Sequence, residues 1–370
     1  MGRALLYNEP TSRRPSSAGS GGKGMLSCGL VGIRGSGKST LFRALSGLRV
    51  ESRGEAGRAV LAVPDERVDA LASLFGSARK VYPQVEVVDV RGFSPDDPRE
   101  ASSFLQEARE CDCLVEVLRG FELPGLGVDL WGELQALELE MTFADAAQLE
   151  RRLKRIREGK RREEERREEA LLLRLLEAIE RGEDLRALEL SEEERKKVLG
   201  FNLLSLKPRV RVANCDLEGL KDPLSIPGYG RMKEMGMAPL LLCARLEAEI
   251  GELSPEEASE FVRELGLPES RPLKALVLEA YRALDLISFL TAGPREARAW
   301  TVKRGTRAQA AAGVIHSDME RGFIRAQVVR FEDLVREGSL ASCREKGLLR
   351  LEGRDYLVQD GDVIEFRFHV

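Results

Sequence analysis

Residues 32–40 read GIRGSGKST and fit the phosphate-binding pattern G-x-x-x-x-G-K-[ST]. The apolar run LSCGLV at residues 26–31 predicts a strand before this loop, and TLFRALSG at residues 40–47 predicts a helix after it. A phosphate-binding loop needs both neighbours because its backbone N–H groups and the first turn of the helix together cradle the anion. The stretch therefore predicts a P-loop within an α/β domain.

Two side chains of the loop indicate a nucleotide together with Mg²⁺. Lys38 is expected to neutralise the charge of the β- and γ-phosphates, and the Ser39 hydroxyl is expected to bind the metal ion. The predicted nucleotide-binding residues of the loop are Arg34, Gly35, Ser36, Gly37, Lys38, Ser39 and Thr40.

A second motif, D-x-x-G, follows the apolar run VEVVDV at residues 85–90. Asp89 is predicted to hold Mg²⁺ together with Ser39, and the N–H group of Gly92 is predicted to sense a γ-phosphate. Arg34 and Arg91 are two further sources of positive charge near this site, and each is equally consistent with an ordinary surface residue.

The base-binding region is expected after the strand RVRVANCD at residues 209–216. Asn214 stands where P-loop GTPases carry N-K-x-D, but the fourth position is Leu217 instead of the Asp that accepts two guanine N–H bonds. Asn214 is predicted to hold the loop or to contact the base, and the backbone of Ala244 is predicted to contact the base. GTP is therefore disfavoured.

The wider pattern predicts an α/β fold with a mostly parallel, buried sheet. Further apolar strands are expected at residues 113–121 and 237–246, alternating with helices. An inserted antiparallel hairpin is predicted at residues 145–200, with one helix running to Gly182 and a second opening at a capping box formed by Ser191 and Glu194. Short alternating strands predict a small α+β module at the C-terminus.

Composition limits the partners. The net charge is −4, so any basic surface must be local. Residues 151–169 hold a local excess of positive charge. This excess fits either a solvated helix face or a surface that binds rRNA. No apolar run is long enough to span a bilayer, which argues against a membrane partner. Six scattered cysteines fit reduced, mostly buried thiols, and a cytoplasmic location is predicted.

These motifs together resemble the YchF/Obg-like ATPase family of translation-factor-class P-loop proteins. The C-terminal stretches TAGPREARAWTVKRGT, AAGVIHSDMERGFIRAQVV and LRLEGRDYLVQDGDVIEFRFHV are similar to the TGS domain of that family, and VPDERVDALASLF, ELEMTFADAAQLERRL, LLSLKPRVRVAN and CARLEAEIGELSPEE also match. The resemblance covers residues 26–370. It implies ATP as the preferred ligand, and it implies association with ribosomes through the hairpin and the TGS domain.

The resemblance also implies the domain boundaries. The expected parts are a disordered lead at 1–24, a P-loop G-domain at 25–144 and 201–284, the hairpin at 145–200, and a ubiquitin-like TGS domain at 285–370.

The chain departs from the family at residues that support hydrolysis. Leu217 replaces the usual Glu, and Gly35 replaces an Asn associated with potassium activation. No Thr occurs between Thr40 and Thr142, and the two histidines, His316 and His369, both lie in the C-terminal module. The sequence therefore assigns no catalytic residue. It favours weak ATP hydrolysis, with a non-hydrolysing nucleotide sensor or RNA-binding protein as the alternative and a GTPase as the third reading.

Overall fold

The structure is a computed structural model that describes residues 25–47, 57–95, 97–159, 163–267 and 272–369. The predicted lead at residues 1–24 lies outside the described residues. The described strands are β1 Ser27–Val31, β2 Arg58–Ala62, β3 Arg79–Val81, β4 Gln84–Asp89, β5 Cys113–Gly120, β6 Arg209–Cys215, β7 Leu240–Leu242, β8 Leu286–Ala292, β9 Glu296–Lys303, β10 Phe323–Arg330, β11 Arg350–Glu352 and β12 Asp362–Phe368.

The described α-helices follow in the same chain order. They are α1 Lys38–Ser46, α2 Glu66–Phe75, α3 Pro98–Glu110, α4 Leu130–Glu158, α5 Glu163–Glu180, α6 Glu192–Phe201, α7 Leu217–Lys221, α8 Tyr229–Glu234, α9 Ala244–Ile250, α10 Pro255–Glu264, α11 Pro272–Ala283, α12 Ala308–Ile315, α13 Ser317–Arg321, α14 Phe331–Glu337 and α15 Leu340–Glu345.

Six strands form the predicted sheet, in the order β2-β4-β1-β5-β6-β7. The pairs from β4 to β7 are all parallel, and β2 is the antiparallel edge strand. Every residue of β1 and β5 is buried, as expected for central strands covered on both faces. The predicted α/β class is thus confirmed, and the sheet brings the carboxyl ends of β1, β4, β5 and β6 to one edge.

Two details of this sheet differ from the sequence prediction. The strand predicted at residues 237–246 is only three residues long, because Cys243 is the N-cap of α9 and the chain becomes helical at Ala244. The edge strand β2 was not predicted. It pairs with β4 from Arg58 to Ala62, and its burial alternates along the strand.

The hairpin is present, but its first helix ends earlier than predicted. α4 starts at Leu130 and ends with Gly159 as its C-cap, and α5 starts at Glu163, so the helix predicted to run to Gly182 is two helices. An apolar seam holds them together; its buried members include Leu149, Leu153, Ile156, Leu171, Leu172 and Leu175. Arg152 also pairs with Glu168 across the seam at 2.6 Å.

The predicted capping box at the start of α6 is confirmed. Ser191 Oγ accepts a hydrogen bond from the Glu194 N–H, and the Glu194 carboxylate accepts one from the Ser191 N–H. No described helix, including the 29-residue α4, is both long and apolar enough to cross a membrane.

By their contacts the described residues group into two compact units. One comprises Leu26–Glu66 and Tyr82–Leu286, so the hairpin belongs with the parallel sheet. The other comprises Arg67–Val81 and the chain from Ile287 onward. Residues 67–81, assigned from sequence to the G-domain, belong to the C-terminal unit because β3 pairs with β9.

The C-terminal unit has a sheet of its own, in the order β11-β10-β12-β8-β9-β3. Its core forms around Phe289, whose ring meets that of Phe366 edge-on at 5.8 Å, and α12 adds buried alanines to it. His316 serves as the N-cap of α13, since its Nδ1 accepts a hydrogen bond from the Asp318 N–H. This histidine therefore has a structural role.

Candidate nucleotide-binding site

The loop after β1 wraps closely around its neighbours. Gly37 has φ +86°, and a Cβ atom there would lie 2.1 Å from Asn214 Nδ2. Only glycine fits this left-handed and crowded position. The Gly37 carbonyl accepts the Leu41 N–H at 2.9 Å, so the helix begins directly from the loop. The first turn of α1 therefore lies directly after the loop. In this class of site, a phosphate binds at the N-terminus of that helix.

Lys38 is a buried cation whose hydrogen-bond acceptors are carbonyl groups of its own loop. The residue is only 6% exposed, and its Nζ donates to Gly32 O at 3.0 Å and to Ile33 O at 3.4 Å. Burial lowers the pKa of Lys38 below its ordinary value, while the carboxylates of Asp89 and Glu133 act in the opposite direction. A bound phosphate would supply the contact anion that this ammonium group favours.

Gly92 lies against this lysine. A Cβ atom at Gly92 would be 2.7 Å from Lys38 Nζ and 3.4 Å from Arg34 Cα, so a larger residue would displace the ammonium group. The D-x-x-G motif thus brings its glycine backbone beside Lys38. This arrangement is what sensing of a γ-phosphate by the Gly92 N–H would require.

A cavity of about 870 Å³ opens over the loop. Its volume falls within the range of small-molecule sites. Its walls include the predicted residues Arg34, Gly35, Gly37, Lys38, Ser39, Thr40, Asp89 and Gly92. The Ser39 hydroxyl and the Asp89 carboxylate share this cavity, and oxygen ligands of these two kinds suit Mg²⁺. The residues therefore fit the metal ion that the P-loop class implies.

The other three predicted residues do not line the cavity and are buried; they are Ser36, Asn214 and Ala244. Asn214 is 5% exposed; its Nδ2 donates to Ser36 O at 3.0 Å and its Oδ1 accepts from Ala244 N at 2.9 Å. Both ends of the amide are used, so Asn214 holds the loop, one of the two roles predicted for it. The contact of Ala244 with a base stays a prediction, since the Ala244 N–H donates to Asn214.

The residues after Asn214 do not form a guanine clamp. Asp216 is the N-cap of α7, and its carboxylate accepts a hydrogen bond from the Gly219 N–H at 2.9 Å. Leu217, at the fourth position of the motif, offers only an apolar side chain. Of the two carboxylates that flank Leu217, Asp216 is used to cap α7, and Glu218 stands one position beyond that of the guanine-binding Asp.

Several cavity residues were not predicted from the sequence. They are Val90, Arg99, Glu100, Ser103, Phe121 and Leu123. Phe121 and Leu123 come directly after β5, and the rule that ligands bind at the carboxyl ends of parallel strands would have found them. The α3 residues carry no such signal, because their position depends on how α3 packs.

A buried ion pair fixes the segment that carries Phe121 and Leu123. Arg119, 6% exposed, pairs with Glu133 of α4 at 3.1 Å and donates to the carbonyls of Phe121 at 3.0 Å and Gly127 at 2.7 Å. Burial raises the pKa of Glu133, and its contacts with Arg119 oppose that shift. The ion pair between Arg119 and Glu133 thereby connects the cavity-lining segment after β5 to α4, the first helix of the hairpin.

The strand, the glycine loop, the buried lysine and the oxygen-bearing side chains suited to Mg²⁺ together define a P-loop nucleotide-binding protein. The ribosome-binding ATPase YchF of Bacillus subtilis is 36% identical over 93% of this chain and 100% of its own length. The protein of the same name from Haemophilus influenzae is 34% identical over 93% of this chain and 99% of its own length. The chain belongs to the YchF family.

Two further comparisons agree with this membership. Residues 286–369 match the family model YchF-GTPase_C, described as a protein of unknown function (DUF933). The solved structure of the Schizosaccharomyces pombe YchF GTPase superimposes with a TM-score of 0.84 at 25% identity. That likeness covers 96% of this chain and 99% of the other. It supports a P-loop domain with an added C-terminal domain.

Proposed function

We propose that this chain binds ATP with Mg²⁺, hydrolyses it slowly, and acts as a regulatory switch on the ribosome. One observation carries the nucleotide part: the buried Lys38 shares a cavity with Ser39 and Asp89. In this arrangement Lys38 binds phosphate oxygens, and Ser39 and Asp89 hold the metal ion, which would neutralise charge on the β- and γ-phosphates. The curated relatives named ribosome-binding ATPase support the same assignment.

Adenine is the proposed base because the fourth position after Asn214, where GTPases carry the Asp that accepts two guanine N–H bonds, has no carboxylate in this chain. Leu217 occupies the clamp position, and the Asp216 carboxylate caps α7. Guanine bound here would leave its paired N–H donors without acceptors, and such mismatches reduce affinity strongly. GTPase activity therefore ranks below ATPase activity for this chain.

Slow turnover is proposed from the chemistry of the cavity walls. Hydrolysis requires a group that positions the attacking water, and this is commonly Gln or His in related sites. Among the described residues that line the cavity there is neither. The same observation supports the second candidate, a protein that binds the nucleotide and senses it without hydrolysis.

The ribosome is proposed as the partner through the hairpin and the TGS domain. In the described part of the hairpin, the guanidinium groups of Arg151 and Arg155 hydrogen-bond to backbone carbonyls of their own helix, and both side chains are exposed. Exposed arginines of this kind are suited to phosphate contacts with rRNA. A cytoplasmic location follows from this proposal.

The nucleotide part is tested by calorimetric titration with ATP, ADP and GTP, each with and without Mg²⁺. We expect ATP to bind at least tenfold more tightly than GTP, with affinity that depends on Mg²⁺ and is abolished in Lys38→Ala. Equal or tighter binding of GTP would overturn the base choice. Binding of ATP that Lys38→Ala leaves intact would overturn the assignment of the site.

The partner is tested by co-sedimentation with ribosomes at a series of salt concentrations. Arg151→Ala/Arg155→Ala is expected to weaken binding and to make the salt dependence shallower, by a slope of about one for each arginine that pairs with a phosphate. Arg263→Ala/Arg282→Ala removes two exposed arginines from α10 and α11 and serves as the matched control. Equal binding by the two double variants would exclude the hairpin as the binding surface.

A further inference from the structure

Arg34 stands in the middle of the phosphate-binding loop, beside the glycine expected to sense the γ-phosphate. Its backbone is fixed, because the Arg34 N–H donates to Phe93 O at 2.9 Å and its Cα lies 3.4 Å from the position of a Gly92 Cβ. Its side chain is 75% exposed and lines the cavity. Because the backbone of Arg34 is fixed and its guanidinium group is solvated, the side chain can reorient toward a ligand without a movement of the loop.

The guanidinium group of Arg34 is held by a carboxylate of α3. Arg34 Nη1 lies 2.9 Å from Glu100 Oε1, and Glu100 Oε2 accepts a hydrogen bond from the Ser94 N–H at 3.1 Å. Glu100 thus connects the phosphate loop with the segment that follows D-x-x-G. Exposed ion pairs of this kind are weak, so a triphosphate, with more negative charge, competes effectively for the arginine.

A second pair repeats the arrangement further along α3. The Arg91 N–H donates to Glu107 Oε2 at 2.9 Å, and Arg91 Nε lies 3.4 Å from Glu107 Oε1. The contact between the Arg91 and Glu107 side chains is longer than that between Arg34 and Glu100, and the Arg91 side chain is equally exposed, at 76%. Arg34 differs from Arg91 in its position, because it belongs to the phosphate-binding loop itself and its Cα lies 3.4 Å from the position of a Gly92 Cβ. This position favours Arg34 as the partner of a γ-phosphate.

We propose that Arg34 is a γ-phosphate-binding residue that exchanges Glu100 for the terminal phosphate when ATP binds. This inference rests on the proposed function. Planar guanidinium groups bind phosphate oxygens in pairs, which makes Arg suited to this position. Release of Glu100 would then report the triphosphate to α3 and to the segment around Ser94. The charged residues that the cavity presents near this exchange are Lys38, Asp89, Arg91, Arg99 and Glu100.

The test compares the affinity for ADP with that for a non-hydrolysable ATP analogue, in the presence of Mg²⁺. In Arg34→Ala, affinity for the analogue is expected to fall about tenfold or more, as for removal of a charge-assisted hydrogen bond, while affinity for ADP changes less than about twofold. Arg34→Lys should recover part of the affinity. Arg43→Ala removes an exposed arginine of α1 outside the cavity and is the control.

The role of Glu100 is tested by a double-mutant cycle. Glu100→Gln should raise affinity for the analogue about two- to fivefold in the wild-type background, and not in the Arg34→Ala background, because the competitor acts only through that arginine. An equal fall in ADP and analogue binding in Arg34→Ala, or no fall in either, would overturn the inference. If the unaltered chain binds neither nucleotide, the proposed function itself fails, which is a separate result.

Discussion

Asn214 Nδ2 lies 3.0 Å from Ser36 O, and Asn214 Oδ1 lies 2.9 Å from Ala244 N. One buried amide therefore joins the phosphate-binding loop to the first turn of α9. The side chain that in related sites is associated with the base has a structural task here. The shape of the phosphate loop consequently depends on a residue at the end of β6.

Replacing Asn214 is expected to loosen both loops. Asn214→Ala leaves a buried carbonyl and a buried N–H without partners, at a cost of about 1–3 kcal/mol for each group in the free energy of unfolding. Urea unfolding measures this change. Asn214→Asp should be at least as harmful, because a carboxylate cannot donate to Ser36 O. Wild-type stability in both variants would contradict the role assigned to this amide.

The crowding at Gly37 gives a second prediction. Gly37→Ala places a methyl group 2.1 Å from Asn214 Nδ2, and we expect at least tenfold weaker nucleotide binding by titration. Gly305→Ala is the matched control: Gly305 has a similar φ of +83°, but nothing lies within 4 Å of its added Cβ. Both variants carry the left-handed strain of roughly 1–2 kcal/mol. A larger loss in the free energy of unfolding for Gly37→Ala than for Gly305→Ala would therefore isolate the steric effect.

The root of the hairpin depends on Asp145 in α4. This residue is fully buried; its carboxylate accepts from Arg109 Nη2 at 2.8 Å, from the Leu204 N–H at 3.0 Å and from the Ser205 N–H at 2.8 Å. Asp145→Ala should lower the free energy of unfolding by about 3–5 kcal/mol, since it removes the carboxylate from a largely buried cation and from two backbone donors.

Chemical denaturation measures the effect at Asp145. Glu150→Ala, at an exposed position of the same helix, is expected to change stability by less than about 0.5 kcal/mol. A small effect of Asp145→Ala would mean that the hairpin is anchored mainly by its apolar seam.

Two buried thiols should resist alkylation in the folded protein. Burial raises the pKa of Cys111 to about 11 and that of Cys215 to about 12. The thiolate is the reactive form, so at pH 8 each should react about a hundredfold or more slowly than in the unfolded chain. The folded state binds these thiol protons more tightly than the unfolded chain does. The free energy of unfolding therefore decreases as pH rises from the thiol pKa of the unfolded chain toward that of the folded protein.

Mass spectrometry after brief iodoacetamide treatment, with and without denaturant, checks this prediction. Rapid labelling of Cys111 or Cys215 in the folded protein would show that their surroundings open readily.

The features predicted correctly from sequence are those fixed by neighbouring residues. Lys38 follows a glycine loop between a strand and a helix, and Ser191 stands three residues before its capping partner Glu194, so local chemistry determines both. The missed features depend on distant contacts. β3 belongs to the C-terminal unit only because it pairs with β9, and Glu100 reaches Arg34 only because of the packing of α3. The end of α4 at Gly159 has no clear signal in the sequence, because charged residues typical of helices stand on both sides of it.

The most direct test of the central claim is a single-turnover assay that follows phosphate release from ATP with protein in excess. We predict slow release that requires Mg²⁺ and that falls to background in Lys38→Ala, while the Arg43→Ala control keeps the rate of the unaltered chain. Release from the unaltered chain that does not exceed that of Lys38→Ala would contradict hydrolysis at this site, and the chain would then be a nucleotide-binding protein without turnover.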